Sequence, residues 1–175
     1  MIFCPTNVAG AFEIRPELIH DERGWFTRTW CQREFESHGL NPRIAQCNLS
    51  FNPRKGTLRG MHYQVGEHAE AKLVRCTRGS IFDVALDIRP SSPTFKRWAA
   101  VALKADASNM FYIPEGCAHG FLTLADETEV FYQISEFYHP ESGRGVRWDD
   151  PAFGVEWPAR VEVISDRDRT YPNIE

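Results

Sequence analysis

The sequence contains no long apolar run and no region dominated by charge of one sign. None of its 175 residues belongs to an apolar stretch near the roughly 20 residues that a membrane-spanning helix needs. The first residues, Met1–Pro5, lack the basic region and apolar run of a secretory signal. Acidic and basic side chains are interspersed and leave a net charge of −4, so nothing favours binding to nucleic acid or membrane. We therefore expect a soluble cytoplasmic protein.

The cysteine usage and the missing motifs exclude several further classes. Five cysteines form no Cys-x-x-Cys pair, and their odd number is typical of reduced thiols that pack as small apolar groups. The chain lacks the GxGxxG and P-loop signatures of dinucleotide and triphosphate sites. It also lacks the GxSxG signature of serine hydrolases.

Aromatic residues and turn signals are abundant instead. Aromatics make up 13% of the chain, and large flat side chains suit the pleated surfaces of sheets. Clusters of Gly, Pro, Asn, Asp and Ser recur about every ten residues, a spacing typical of sandwiches and barrels. We predict one all-β domain over residues 1–175, an antiparallel jelly-roll barrel of two sheets whose mouth can hold a small ligand.

The segments between the turns predict the individual elements. Strands are expected at Leu58–Gln64, Ala71–Cys76, Ile81–Arg89, Trp98–Leu103, Gly120–Leu124 and Glu129–Tyr138. A short amphipathic helix is expected over Cys31–His38 with Gly39 as its stop, and another turn near Ser165–Arg167. Within Ile81–Arg89, even-numbered positions form one clearly apolar face, whereas Asp83 and Asp87 lie on the other.

Polar side chains on predicted strands mark the candidate site, because burying them costs free energy unless they have partners. His62 lies in the middle of Leu58–Gln64, either as a hydrogen-bonded core histidine or as a functional group. Alternation puts Arg59 on the opposite face. Both side chains reach one pocket only if the strand bulges, and Gly60 is where a bulge would be tolerated.

Four further residues are ambiguous when taken alone. Lys72 begins a strand and could be solvated, and His119 follows Pro114–Gly116 on a tight turn where it could hold a carbonyl. Tyr132 and Tyr138 have the same parity and can face the same side of one strand. A metal site is the first alternative use of these histidines. However, position 64 is Gln where metal-binding cupins have the second His of an HxH motif, so we expect no metal.

Taken together, the motifs resemble dTDP-4-dehydrorhamnose 3,5-epimerase and related antibiotic-sugar epimerases over nearly the whole chain. The motifs that carry the resemblance occur in the family's order at 21–26, 46–48, 58–64, 72–76, 79–89, 92–95, 113–121, 138–140 and 148–151. The resemblance implies a cupin jelly roll that acts without cofactor or metal. It also implies a homodimer in which the N-terminal part of one subunit reaches the partner's site.

The implied reaction is proton removal beside the ketone of a nucleotide-linked 4-keto-6-deoxyhexose, with inversion at C3, C5 or both. An isomerase of this kind needs a base, an acid on the opposite face and a cation near the ketone oxygen. By resemblance, His62 is the base, oriented by Asp168. Lys72 stabilises the enolate oxygen, and Tyr132 is the acid.

The resemblance also implies the substrate-binding residues. Arg23, Arg59 and His119 match positions that bind pyrophosphate or sugar, and Tyr138 matches a residue that stacks on the base. The remaining implied contacts are Phe26, Gln46, Asn48 and Arg167.

Two positions depart from the family pattern, since Arg28 and Gly143 stand where the family usually has Glu. A carboxylate can accept the N3–H of thymine, whereas a guanidinium can satisfy the bare N3 of cytosine. Arg28 therefore either shifts the enzyme from dTDP towards CDP, or only contacts phosphate or lies on the surface. The competing functions are a sugar-nucleotide ketoisomerase, which moves the carbonyl by similar chemistry, and a non-catalytic sugar-nucleotide-binding cupin.

Overall fold

The computed structural model describes residues 1–174. Within that range the chain forms short strands, two short helices and one 3-10 turn. The elements in chain order are β1 (Ile2–Pro5), β2 (Phe12–Arg15), β3 (Ile19–Asp21), β4 (Gly24–Phe26), α1 (Gln32–Ser37), β5 (Gln46–Asn52), β6 (Thr57–Gln64), a 3-10 turn (Gly66–His68), β7 (Lys72–Arg78), β8 (Ser80–Asp87), β9 (Trp98–Lys104), β10 (Met110–Ile113), β11 (Cys117–Thr123), β12 (Thr128–Ile134), β13 (Gly143–Gly145), β14 (Val163–Ile164) and α2 (Asp166–Arg169).

Two sheets make up the body of the fold. The first has the strand order β1-β2-β10-β7-β12-β5, and the second has the order β13-β6-β11-β8-β9, with β14 added in parallel beside β6. The chain crosses repeatedly between them, from β7 to β8, from β9 to β10 and from β10 to β11. All other pairings are antiparallel, and β3 and β4 form a separate hairpin. The prediction of an all-β jelly roll is confirmed.

Strand β8 is buried on both faces, which the alternation in the sequence did not indicate. Ile81 and Ala85 belong to the core between the sheets, together with Val74 of β7. The more apolar face points out of the barrel, where Val84 packs in a cluster with Phe153 of the C-terminal segment. The inner face is therefore the one that carries the two buried aspartates of this strand.

A bulge in β6 is present at the predicted position. Arg59 pairs with Phe121 of β11, and His62 pairs with His119, so two residues of β6 lie opposite one residue of β11. Gly60 has φ +151, and a Cβ there would come within 2.5 Å of the Cα of Gly120. Only glycine allows this approach. Because the bulge inverts the alternation, the side chains of Arg59 and His62 both reach the cavity between the sheets.

The two short helices were predicted correctly. Helix α1 lies within the predicted segment and buries Phe35, and Gly39 follows with φ +70. Helix α2 begins after Ser165, whose side chain accepts a hydrogen bond from the backbone N–H of Asp168. Within residues 1–174, no helix has the length and apolar character to cross a membrane.

Two predicted placements are wrong. His119 does not follow a turn directly but lies in the middle of β11, because that strand begins at Cys117. Tyr138 does not share a strand with Tyr132, because β12 ends at Ile134. The chain leaves the sheet after Ile134 and is then held by the side chain of Gln64. The amide nitrogen of Gln64 donates to the carbonyl of Phe137, and its amide oxygen accepts from the backbone N–H of His139.

Asp87 gives a prediction about stability. Burial alone would raise the pKa of Asp87, but hydrogen bonds from Arg89, Ser92 and Thr94 lower it to about 2. A depressed pKa means that the carboxylate stabilises the fold above its unfolded pKa and loses this effect as the pH falls from about 4 towards 2. Asp87→Asn is therefore expected to reduce the free energy of unfolding by about 2 kcal/mol at pH 7.

Urea denaturation at pH 7 and pH 3 measures this effect. The difference in the free energy of unfolding between Asp87→Asn and the wild type should narrow at the lower pH, because at pH 3 the carboxylate of the unfolded wild-type chain is mostly protonated, and proton uptake on unfolding then favours the unfolded state. Asp149→Asn is the matched control, since Asp149 also pairs with an arginine but lies on the surface. A gap that stays constant with pH would show that the charge of Asp87 contributes nothing.

Candidate active site

A cavity of about 710 Å³ opens between the two sheets. Its size is within the range of small-molecule sites. Strands β5, β7 and β12 of the first sheet and β6 and β11 of the second supply most of its wall, and the C-terminal segment closes one side. Ten of the thirteen site residues predicted from the sequence line this cavity: Gln46, Asn48, Arg59, His62, Lys72, His119, Tyr132, Tyr138, Arg167 and Asp168.

His62 and Asp168 form a hydrogen-bonded pair at this wall. The Nε2 of His62 lies 2.7 Å from the Oδ1 of Asp168, and the other carboxylate oxygen accepts from the backbone N–H of Gly60 at 3.2 Å. Burial alone would raise the pKa of Asp168, but the bonds from His62 and Gly60 outweigh it, and the pKa is lowered. The ionised carboxylate thus holds the Nε2 proton, which leaves Nδ1 of the partly exposed imidazole as the proton acceptor.

Lys72 is buried at the start of β7, on the other sheet. Its Nζ lies 2.9 Å from the carboxylate of Glu70 and donates to the carbonyl of His62 at 3.2 Å. The side chains of Lys72 and Glu70 are 9% and 10% exposed, so the ion pair is shielded from solvent. An ammonium has three donors. Two are used here, and the third remains for a ligand in the cavity.

Tyr132 of β12 presents a phenol to the same space. Its hydroxyl is 3.0 Å from the Oγ of Ser50, and its ring packs edge-on against His119. Burial raises the pKa of Tyr132, and the nearby charge of Asp83 adds to the effect. The phenol therefore keeps its proton and can donate it only to a strongly basic partner.

His119 has a partner that the sequence analysis missed. Its Nε2 lies 2.7 Å from the Oδ1 of Asp83, which is fully buried on β8. The second oxygen of Asp83 has no hydrogen-bond partner among the described residues. Burial raises the pKa of Asp83, and the neighbouring His119 opposes this. The signal for Asp83 in the sequence was an acidic residue within a predicted strand. Glu70, the partner of Lys72, was missed as well, and its signal was an acidic residue two positions before that lysine.

Basic groups surround the outer part of the cavity. The guanidinium of Arg59 is held by the side chain of Asn52, with Nε donating at 2.8 Å. Arg144, which the sequence analysis did not single out, lines the cavity together with Arg167. The ring of Tyr171 lies 5.8 Å from the guanidinium carbon of Arg167. This arrangement of cations suits a ligand with phosphate groups.

Three predicted contacts lie outside the cavity of their own chain. Arg23 is at the tip of the β3–β4 hairpin, where it pairs with Asp21 and is 84% exposed. Phe26 ends the same hairpin and is 70% exposed. Arg28 is 63% exposed and bonds to Glu34 at 3.3 Å. The structure does not bring these side chains to the other ten.

The geometry of the site agrees with a specific family. The family model for dTDP-4-dehydrorhamnose 3,5-epimerase matches residues 5–175. The chain belongs to this epimerase family. An enzyme of the same name from Methanothermobacter thermautotrophicus is 45% identical over 172 residues, which are 97% of this chain and 92% of that protein.

Solved structures of epimerases agree with this assignment. A dTDP-4-dehydrorhamnose 3,5-epimerase from Bacillus anthracis, with TDP and PPi bound, superposes with a TM-score of 0.94 at 36% identity and covers 99% of both chains. A dTDP-6-deoxy-D-glucose-3,5-epimerase from Legionella pneumophila, in complex with dTDP-4-keto-L-rhamnose, has a TM-score of 0.88 at 37% identity and covers 95% of this chain and 89% of that one. The class inferred from the sequence, an isomerase with a cupin fold, is that of the family.

Proposed function

We propose that this protein epimerises a dTDP-linked 4-keto-6-deoxyhexose at C3 and C5 through enolate intermediates. The observation that carries the proposal is the placement of a base and an acid on facing walls of one cavity. His62 belongs to β6 of the second sheet, and Tyr132 belongs to β12 of the first. A sugar ring held between them exposes opposite faces to the two groups, as inversion at carbon requires.

Each group has one step. The Nδ1 of His62 removes the proton from the carbon beside the ketone, and Asp168 stabilises the imidazolium that forms. The electron pair moves onto the ketone oxygen, where the ammonium of Lys72 stabilises the negative charge. Tyr132 then gives its proton to the other face of the carbon, and the ketone forms again. The imidazolium of His62 returns its proton to solvent and the phenolate of Tyr132 takes one from solvent before the second carbon reacts.

The nucleotide is proposed to lie at the outer end of the cavity. Arg59 and Arg167 line the cavity and can bind the diphosphate, whereas His119 is buried against Tyr132 and is placed to contact the sugar. Tyr138 is 54% exposed at the rim, which leaves its ring free to stack on a base. The Bacillus epimerase binds TDP and the Legionella epimerase binds a dTDP-linked keto sugar, and both ligands support dTDP as the nucleotide.

Proton NMR in D2O tests the proposed reaction. With dTDP-4-keto-6-deoxyglucose, we expect deuterium to appear at C3 and C5 together with the inverted product. Exchange at one carbon alone would limit the enzyme to that centre. A shift of the carbonyl to another carbon would identify a ketoisomerase. Binding of the substrate without any exchange would identify a non-catalytic binding protein, and either result would overturn the proposal.

A homodimer would bring the three remaining predicted contacts, Arg23, Phe26 and Arg28, to a cavity. In the β3–β4 hairpin, the exposed fractions of Ile19, Trp25 and Phe26 are 66%, 52% and 70%. Such exposure of neighbouring large apolar side chains is unusual in an isolated subunit. We propose that this hairpin packs on a second copy and carries Arg23 and Phe26 to that copy's cavity. Light scattering would then give twice the chain mass of 20.1 kDa, and a mass of one chain would contradict the proposal.

Arg28 would reach the base in such a dimer, and we propose that it widens acceptance from dTDP towards CDP. Arg28→Glu is expected to lower the ratio of kcat/KM for the CDP substrate to that for the dTDP substrate by about tenfold, the loss of roughly one hydrogen bond to a charged group. Arg15→Glu, an exposed arginine on β2, is the control. An unchanged ratio would mean that Arg28 serves only its ion pair with Glu34.

A further inference from the structure

Three potential metal ligands lie together outside the catalytic groups. His68 ends the 3-10 turn after β6, and His139 and Glu141 lie in the segment between β12 and β13. One ligand atom from each of the three side chains lies within 4.8 Å of the other two. No other group of this kind occurs within residues 1–174.

The three ligand atoms lie close enough for one transition-metal ion to be reached by rotation of the side chains. The Nδ1 of His139 lies 3.3 Å from the Oε1 of Glu141, and the rings of His68 and His139 are stacked with centroids 3.5 Å apart. Zinc binds imidazole nitrogen and carboxylate oxygen at about 2.0–2.1 Å in a tetrahedron, so neighbouring ligand atoms lie about 3.3 Å apart. Metal binding would turn the two rings out of their stack, because a metal ion lies in the plane of each imidazole that binds it, and would leave the fourth position to water.

We propose that His68, His139 and Glu141 bind a divalent transition metal such as Zn²⁺. Two imidazoles and one carboxylate favour zinc, nickel or copper over magnesium or calcium, which prefer oxygen ligands only. The site is separate from the catalytic pair of His62 and Asp168 and takes no part in the proposed reaction.

The position of the site indicates a structural role. Buried Gln64 donates hydrogen bonds to the carbonyl of His68 and to the carboxylate of Glu70, and accepts one from the backbone N–H of His139. The metal would add a strong link between the two segments that this glutamine already joins. One of those segments carries Tyr138 at the rim of the cavity. Metal binding therefore anchors the chain around Tyr138.

Calorimetric titration of Zn²⁺ into chelator-treated full-length protein at pH 7.5 tests the site. We expect one specific site per chain, and at least about tenfold weaker binding in His68→Ala and in His139→Ala. Removing a group that is hydrogen-bonded to a metal ligand typically weakens metal affinity by about 10–100-fold. Removing the ligand itself should weaken it at least as much. Glu141→Gln tests the third ligand at an exposed position where folding is not at risk.

The controls separate this site from other histidines. His20→Gln removes an exposed histidine on the β3–β4 hairpin, and His62→Asn removes the histidine of the cavity. Both variants should bind Zn²⁺ as the wild type does. Hydrogen exchange should slow in residues 137–143 when Zn²⁺ is added to the wild type, and should not change in His139→Ala. Equal affinity in the wild type and all three ligand variants, or loss of binding in His62→Asn, would overturn the proposal.

Discussion

Replacing His62 with alanine is expected to lower the rate of C–H exchange by about 10²–10⁴-fold, the contribution typical of a positioned general base. The Nδ1 of His62 is the proposed acceptor for the substrate proton, since Nε2 is engaged by Asp168 at 2.7 Å. His62 is partly exposed at the cavity wall, so its removal should not unfold the protein. Exchange followed by NMR in D2O, with saturating substrate, measures the chemical step separately from binding.

Asp168→Asn is the matched test of the pair. An amide can offer its N–H₂ to Nε2 and so favour the wrong tautomer, with the proton on Nδ1. We expect a loss of similar order, and a double variant no worse than His62→Ala alone, because groups that act as one unit are not additive. If His62→Ala kept more than about a tenth of the activity, the base would be another group, with His119 the first candidate.

Tyr132→Phe separates the two faces of the sugar. The variant keeps the base and loses the proposed acid, so deuterium should still enter on the His62 side while formation of the inverted product falls. Equal losses of exchange and inversion would mean that Tyr132 acts on the first step as well. The ring of Tyr132 packs against His119 and would be retained by phenylalanine.

The family resemblance predicted the residues of the cavity wall, and strand periodicity and turn residues, which are local signals, predicted the strands that carry them. Arg59 and His62 alternate to opposite faces in an ideal strand, and the glycine between them indicated the bulge that unites them. The family resemblance implied the roles of His62, Lys72, Tyr132 and Asp168, although Asp168 is more than 100 residues away from His62 along the chain. Periodicity alone would not have paired those two residues.

The partners of the site residues were harder to predict because they depend on which face of a strand is the interior. The alternation in β8 indicated an apolar face with Val84, and that face packs against the C-terminal segment outside the barrel. Asp83 lies on the less apolar face, which is the interior, and there it bonds to His119. A strand buried on both faces hides this difference, because its outer face is as apolar as a core.

The hairpin residues show a different limit. Arg23 and Phe26 belong to a motif of the family, and Arg28 stands where the family usually has Glu, yet all three lie on the surface of the isolated subunit. Local sequence patterns determine that β3 and β4 pair, because Asp21–Gly24 is a tight turn. They do not determine which surface the hairpin contacts. In the proposed dimer, that information is in the shape and polarity of the partner's surface.

Replacing Lys72 with alanine is expected to lower kcat by about 10²–10³-fold, since a preorganised group beside a developing oxyanion commonly contributes about 3–4 kcal/mol. The ammonium is buried beside Glu70 and is therefore fixed before substrate arrives. The affinity for dTDP should change little, because the nucleotide is proposed to bind at the outer end of the cavity. Comparison of kcat with the Kd for dTDP distinguishes the two effects.

Stability must be separated from catalysis in this variant. Lys72→Ala leaves the carboxylate of Glu70 buried without its cation, and an unpaired buried charge destabilises a fold. The double variant Lys72→Met/Glu70→Gln removes both charges, and the amide oxygen introduced at position 70 could still accept the hydrogen bond from Gln64. We expect it to unfold at a higher temperature than Lys72→Ala and to remain as inactive. If the double variant regained activity, the role of Lys72 would be to neutralise Glu70, and the enolate oxygen would be stabilised by another group.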